Sequence, residues 1–94
     1  MSIDVPHERR ARVASRAGLH ARPATRLASA AAEQPVRVGI RRGDGPTVDA
    51  SSVLGLMTLG ASHGDEVVLT AEGDRAADVL DAMVALVERE LDDQ

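Results

Sequence analysis

Not one of the 94 residues is Phe, Tyr or Trp. Aromatic rings normally supply the largest buried areas of a core. A chain without them must fill its interior with Val, Leu, Ile, Met and Ala. With 44% apolar and 28% charged residues, the composition is still that of a globular protein. The length of 94 residues suits one domain, residues 1–94, and is too short for two. A domain of this size buries only ~60–65% of the surface that its unfolded chain exposes, so its core must be simple.

The same absence argues against modules that bind RNA or single-stranded DNA by stacking bases on aromatic platforms. The formal net charge is −4, so the chain as a whole is no polyanion binder, and no nucleic-acid partner is expected. All 11 basic residues are Arg, which reads as a compositional bias of the source. There is no Cys, which excludes disulfides, thiolate nucleophiles and Cys-based metal sites. No two of His7, His20 and His63 have metal-ligand spacing, so neither a metal nor a cofactor is expected. Met1 to Arg12 is polar and does not look like a secretory signal. No window approaches the ~18 apolar residues of a membrane span. These features predict a cytoplasmic protein that does not insert into membranes.

Along the chain, residues 1–8 read as a loose lead-in. Ala11, Val13 and Ser15 alternate with Arg10, Arg12 and Ala14, as in a half-buried strand. After a break at Gly18, Ala21 to Ala32 has Ala21, Ala24, Leu27, Ala28 and Ala31 at helical spacing, and Pro35 stops it. Val36 to Arg41 alternates again. Gly43-Asp44-Gly45-Pro46 is a turn signal, with a short strand from Thr47 to Ala50 completing a hairpin. Val53 to Leu59 reads as a brief helix behind Ser51-Ser52 and closed by Gly60. Glu66 to Ala71 is a fourth strand. A last helix, capped by Asp74, runs to about Leu91 on a stripe of Ala76, Leu80, Met83, Val87 and Leu91, flanked by Val79, Val84 and Leu86. The order βαββαβα predicts a two-layer α+β domain. Helices cover one face of a four-stranded sheet, and the other face carries Arg with Ser or Thr.

The chemistry concentrates in Gly18-Leu19-His20-Ala21-Arg22-Pro23-Ala24-Thr25, where a strand hands over to a helix. His20 falls at or just before the first helical residue. The backbone N–H groups of Ala21, Arg22 and Ala24 lie in a first turn that offers them no intrahelical partner, and Pro23 has no N–H to leave unpaired. An anion gains ~0.3–1 kcal/mol at such a helix start. Arg22 adds a fixed charge and a planar donor fork suited to phosphate oxygens. Neutral imidazole is nucleophilic near physiological pH, which serine is not without a base. Phosphoryl transfer requires positioning and charge stabilisation more than covalent chemistry from the protein. Pro23 disfavours helical geometry at Arg22, so a local conflict is expected there.

Gly18-Leu19-His20-Ala21-Arg22-Pro23-Ala24 resembles the active-site motif of HPr, the histidine-containing phosphocarrier of the bacterial sugar phosphotransferase system. Val48 through Gly60 matches a second block of that family. Gly64-Asp65-Glu66-Val67 through Ala71-Glu72-Gly73 is a weaker third match. The resemblance spans nearly the whole chain, in order and at the right spacing. It implies an open-faced two-layer β-sandwich, a four-stranded antiparallel sheet covered by three helices, and a carrier that is not itself an enzyme. It also implies that His20 accepts a phosphoryl group, through Nδ1, from phosphorylated enzyme I and passes it to enzyme IIA domains for sugar uptake. Arg22 aligns with the active-site arginine. Ser52 aligns with a serine that a kinase/phosphorylase addresses in many relatives. Thr25, Val53, Leu54 and Met57 align with the partner-docking face, and a monomer is implied. Ala17 and Ser51 depart from the family pattern, which often has a small polar residue and a Lys there.

Plainer readings exist for each of these residues. His20 and Arg22 are ordinary surface residues of a helix start if the motif is set aside. Ser52 is a plausible N-cap without any regulation, and some of Val53, Leu54, Leu56 and Met57 must be core. His7 and His63 read as exposed and incidental. Two other function classes remain beside the carrier: a purely regulatory interaction module acting through Ser52, and a metabolite-binding domain. The presence of His20 weighs against the first, and no pocket is evident in the sequence for the second. Within the carrier class, a nitrogen-branch paralogue stands beside the sugar branch, which the Ser52 region favours.

Overall fold

The computed structural model describes residues 7–89. Within them the chain runs β1 (His7–Arg12), α1 (Ala21–Ala32), β2 (Val38–Arg42), β3 (Val48–Asp49), α2 (Val53–Thr58), β4 (Glu66–Ala71) and α3 (Ala76–Val87). The strands form one four-stranded antiparallel sheet in the order β1-β4-β2-β3. This is the two-layer α+β architecture that the element order predicts, in the open-faced form that the resemblance implies.

Strand β4 is rich in β-branched residues, which favour the pleated conformation, and it is hydrogen-bonded on both edges. Leu69 stands opposite Arg9 of β1 and Ile40 of β2, and Val67 stands opposite Ala11 and Arg42. Period-two alternation sends Val67, Leu69 and Ala71 into the core. There they join Leu19, Leu27, Ile40, Leu56, Leu80 and Met83, all fully buried. Helix α3 packs on β1 and β4, while α1 packs on α2 and α3. The face of α1 made by Ala24, Leu27, Ala28 and Ala31 is buried, and its small side chains let the helix lie close to its neighbours. Branched aliphatics and Ala thus fill the interior without a ring.

The other sheet face is open and charged. Arg41 pairs with Glu8 at 3.4 Å, Arg37 with Asp49 at 3.8 Å and Arg10 with Glu66 at 3.9 Å. Exposed pairs of this kind contribute only ~0–1 kcal/mol each, so they keep the face hydrated more than they stabilise it. Val68 points this way yet is only 8% exposed. Arg10 and Arg41 stand opposite it on the two neighbouring strands, where arginine stems can cover a small apolar side chain.

Several boundaries differ from the sequence-based expectation. The first strand lies three residues earlier than expected, so His7 and Glu8 belong to β1 and not to a loose lead-in; residues 1–6 lie outside the described residues. The reason is the length of β4, whose first residue, Glu66, faces Arg12. Beyond it the pairing continues only at Val13, whose N–H donates to the Asp65 carbonyl at 2.9 Å and whose carbonyl accepts from Gly64 N–H. Val13 and Ser15 remain buried all the same. Strand β2 starts at Val38 and ends at Arg42, and β3 shrinks to Val48–Asp49. Helix α2 stops at Thr58, with Leu59 as its C-cap. The N-cap of α3 is Arg75, not Asp74, because Ala76 N–H turns back to the Gly73 carbonyl at 3.1 Å. That helix ends at Val87, whose carbonyl accepts from Ala14 N–H at 3.1 Å; Leu91 lies outside the described residues.

Leu69 is 0% exposed at the centre of the sheet. We expect Leu69→Ala to lose ~2–5 kcal/mol of stability through lost burial and a residual cavity, read as a lower urea midpoint. Arg10→Ala, on the open face, should change it by less than ~1 kcal/mol. Similar midpoints for the two variants would contradict this placement of the core.

Candidate functional site

Four segments meet around the start of α1: the strandless stretch after β1, α1 itself, α2 and the turn before β4. Approaching α1, Leu19 is fully buried and its N–H donates to the Ala61 carbonyl at 3.0 Å. Gly18 makes that approach possible. Its φ is +70°, and a Cβ there would lie 2.4 Å from the Ala61 carbonyl oxygen, a distance no carbon atom tolerates. The turn is tied back to the same segment. Gly64 N–H donates to the Val13 carbonyl at 2.8 Å, the Arg12 guanidinium reaches the Gly64 carbonyl at 2.8 Å, and His63 Nδ1 sits 3.2 Å from the Ala14 carbonyl. His63 is exposed, as expected, but it also braces this turn.

His20 is the N-cap of α1, with extended backbone (φ −137°, ψ 151°), and its side chain makes no capping bond. Its ring is exposed. The next residue, Ala21, has φ +46°, the one non-glycine positive φ among the described residues. A residue held in the left-handed region typically costs ~1–3 kcal/mol. Buried Leu19 and Gly18 fix the chain before it, and buried Pro23 and Ala24 fix it behind. The local conflict expected at Arg22 is therefore displaced one residue earlier, to Ala21.

With His20 as the cap, the backbone N–H groups of Ala21 and Arg22 lie in the first turn of α1. No acidic side chain lies in this first turn, so no carboxylate there offsets the positive end of the helix dipole. Arg22 and Thr25 are exposed. Thr25 Oγ1 donates to the Ala21 carbonyl at 3.1 Å, bracing the same turn.

The expected docking residues divide. Leu54 is 75% exposed, the one large hydrophobic so exposed among the described residues. Val53 and Met57 are half-buried, and Leu56 is core. Ser52 caps α2, its Oγ accepting from Gly55 N–H at 2.9 Å, so an N-cap role accounts for a serine there. Before it, Asp49 Oδ1 accepts from Ser51 Oγ at 2.6 Å and from Ser51 N–H at 2.8 Å. These bonds, with Arg37 nearby, hold the Asp49 carboxyl below its ordinary value. Asp65 is likewise held low, chiefly by Ser62 N–H and then by Arg42. Among the described residues, no group of three or more His, Asp or Glu side chains is placed to hold a metal. No helix of the described residues is long and apolar enough to cross a membrane.

The sequence matches the family model for the PTS HPr component phosphorylation site over residues 7–89. The chain belongs to the HPr phosphocarrier family. It is 40% identical over 86 residues to the phosphocarrier protein HPr of Streptomyces coelicolor, covering 92% of each chain. It is 38% identical over 86 residues to the phosphocarrier protein NPr of Shewanella violacea, covering 92% of this chain and 93% of that one. Its fold superposes on the crystal structure of HPr from Bacillus anthracis with a TM-score of 0.81 at 34% identity, covering 88% of this chain and 98% of the other. HPr proteins are carriers within the phosphotransferase relay, holding the group as phosphohistidine, and are not enzymes. The turn at residues 60–65 was readable as a break in the chain, through Gly60 and His63-Gly64-Asp65, but not as the anchor of the approach to α1.

Two outcomes follow from this geometry. Gly18→Ala should destabilise the domain by more than ~2 kcal/mol, since it adds a backbone clash to an unfavourable φ. Gly43→Ala, whose Cβ would meet nothing within 4 Å at φ +58°, should cost only ~1–2 kcal/mol; equal losses by chemical denaturation would refute the clash. The second outcome concerns acid. Because Asp49 and Asp65 titrate lower in the folded state than their ordinary value of 3.8, the unfolded chain binds more protons between the two values. Their stabilising contribution is present at neutral pH and is lost as pH falls through and below 3.8. Urea midpoints measured from pH 7 downward should show a shallower acid decline for Asp49→Asn than for wild type.

Proposed function

We propose that His20 is the phosphoryl acceptor of this carrier and that Arg22 and the first turn of α1 hold the transferred group. The observation that carries the reading is an exposed imidazole on the N-cap residue of a helix whose first turn has no acidic side chain. A lone pair on the His20 ring attacks the phosphorus of a phosphorylated donor. The N–P bond forms as the donor's bond to phosphorus breaks, and the ring proton passes to solvent. The dianion that results lies at the positive end of the helix, within reach of first-turn N–H groups. Arg22 contributes charge to the same oxygens. Transfer onward reverses the steps on a new acceptor.

In this reading the donor is phosphorylated enzyme I and the acceptors are enzyme IIA domains, in the cytoplasm, with the carrier a monomer. The exposed Leu54 with Val53, Met57 and Thr25 serves as the face on which they dock, since a solvent-exposed Leu on a short helix gains most by being covered. Ser52 carries the regulatory layer. A phosphoryl group on its Oγ would take the acceptor atom from Gly55 N–H and set a dianion beside Leu54, against an apolar partner surface.

Incubation with enzyme I, Mg²⁺ and phosphoenolpyruvate should add one acid-labile phosphoryl group to the wild type and none to His20→Ala, read by intact mass. Labelling of both chains alike would dismiss His20. Arg22→Ala should remain folded and accept the group about tenfold more slowly, the effect of losing a charge-assisted bond of ~1.5–3 kcal/mol in the transition state.

A further inference from the structure

Arg42, at the end of β2, converges with Ser62 and Asp65 on the turn at residues 60–65, although β3 and α2 separate it from them in sequence. The Asp65 carboxylate accepts from Ser62 N–H at 2.9 Å and from Arg42 Nη1 at 3.3 Å. The same Arg42 nitrogen donates to the Gly60 carbonyl at 2.9 Å. Asp65 N–H returns to the Ser62 carbonyl at 3.0 Å. One carboxylate and one guanidinium therefore close the turn from both ends. Residue 61 lies between them, and its carbonyl is the acceptor that fixes Leu19 N–H at 3.0 Å. Leu19 is buried and directly precedes His20. Asp65 also anchors the far side of the approach, because its own carbonyl takes Val13 N–H at 2.9 Å.

We propose that Asp65, clamped by Arg42, is a positioning residue for phosphoryl transfer at His20, acting through the Ala61 carbonyl and Leu19. The proposal rests on the reading of His20 as acceptor. Asp65 contributes no atom to the reacting group. Its carboxylate sets where the Ala61 carbonyl stands, and so where the backbone entering α1 stands. Gly18 leaves no slack at that contact, since even a methyl group would collide with the Ala61 oxygen. An in-line transfer tolerates little misplacement of the nucleophile, and a shift of ~1 Å can cost ~100-fold in rate. Loss of the carboxylate leaves Ser62 N–H without its acceptor and Arg42 with only the Gly60 carbonyl of the two contacts described above. The turn then has no fixed shape to impose on residues 18–20. The carboxyl is held low by the same two partners, so the clamp stays charged across the neutral range.

The test treats the full chain as the substrate of enzyme I with phosphoenolpyruvate as donor. Asp65→Ala should lower kcat about tenfold while KM stays within about twofold, because the docking residues on α1 and α2 are untouched. Asp65→Asn, which keeps an acceptor for Ser62 N–H but loses the ion pair, should fall between it and wild type. Arg42→Ala should follow the same kcat-selective pattern. Ile40→Val, a core change away from the turn, should keep kcat even where it lowers the thermal midpoint. An Asp65→Ala chain with wild-type kcat, or with raised KM at unchanged kcat, would overturn the positioning role. If Asp65→Ala fails to fold, Asp65→Asn and Arg42→Ala decide by the same criterion. A wild-type chain that takes no group on His20 would instead overturn the acceptor reading, and the positioning role with it.

Discussion

Strand β4 is the constraint on which the remaining structure depends. It is the strand paired with both β1 and β2, and α3 packs against it. Val67, Leu69 and Ala71 face the helices, so their burial fixes its register to the residue: a slip by one would turn all three toward solvent. Its first residue, Glu66, sets where β1 must end. After that point the approach to His20 is held by bonds to the turn that precedes β4, from Val13 and Leu19, and by one from Ala14 to the end of α3. The candidate site is therefore a consequence of where one strand begins.

That dependence explains how a small domain holds a strained residue at its surface. Ala21 has a backbone conformation that alanine avoids. No single contact holds it there. The segment before it is tied by Leu19 N–H to the Ala61 carbonyl, and the segment after it by the buried face of α1. The chain must cross from an extended His20 to a helix in one step, and Ala21 absorbs the change of direction. The exposed imidazole follows from this, because an extended capping residue does not lie along the helix that it starts.

Much of this was legible in the sequence, for reasons that differ by element. Helix α1 was readable to the residue, since Gly18 breaks the chain before it, Pro35 forbids it afterwards and the Ala and Leu spacing fills the interval. His20 and Arg22 were readable because the site there is local, built within one turn of helix. Strand β1 and the start of α3 were less so. The edge of β1 depends on a partner more than 50 residues away, and a hydrogen bond from Ala76 to Gly73 overrides the capping preference of Asp74. The Arg42–Asp65 clamp was not legible, because neither residue carries a motif for it and only the sheet brings them together. Leu54 and Leu56 look alike in sequence, and only the packing of α2 separates an exposed side chain from a core one.

The all-aliphatic core has a consequence beyond packing. With no Trp or Tyr anywhere in the chain, the folded protein has almost no near-ultraviolet absorbance or intrinsic fluorescence. It is an optically silent partner. In a mixture with a Trp-containing protein, every change in emission belongs to the other molecule, so a titration reports the partner's surroundings alone. The composition that forced a simple core also makes this chain a colourless ligand against which a partner's response can be read without subtraction.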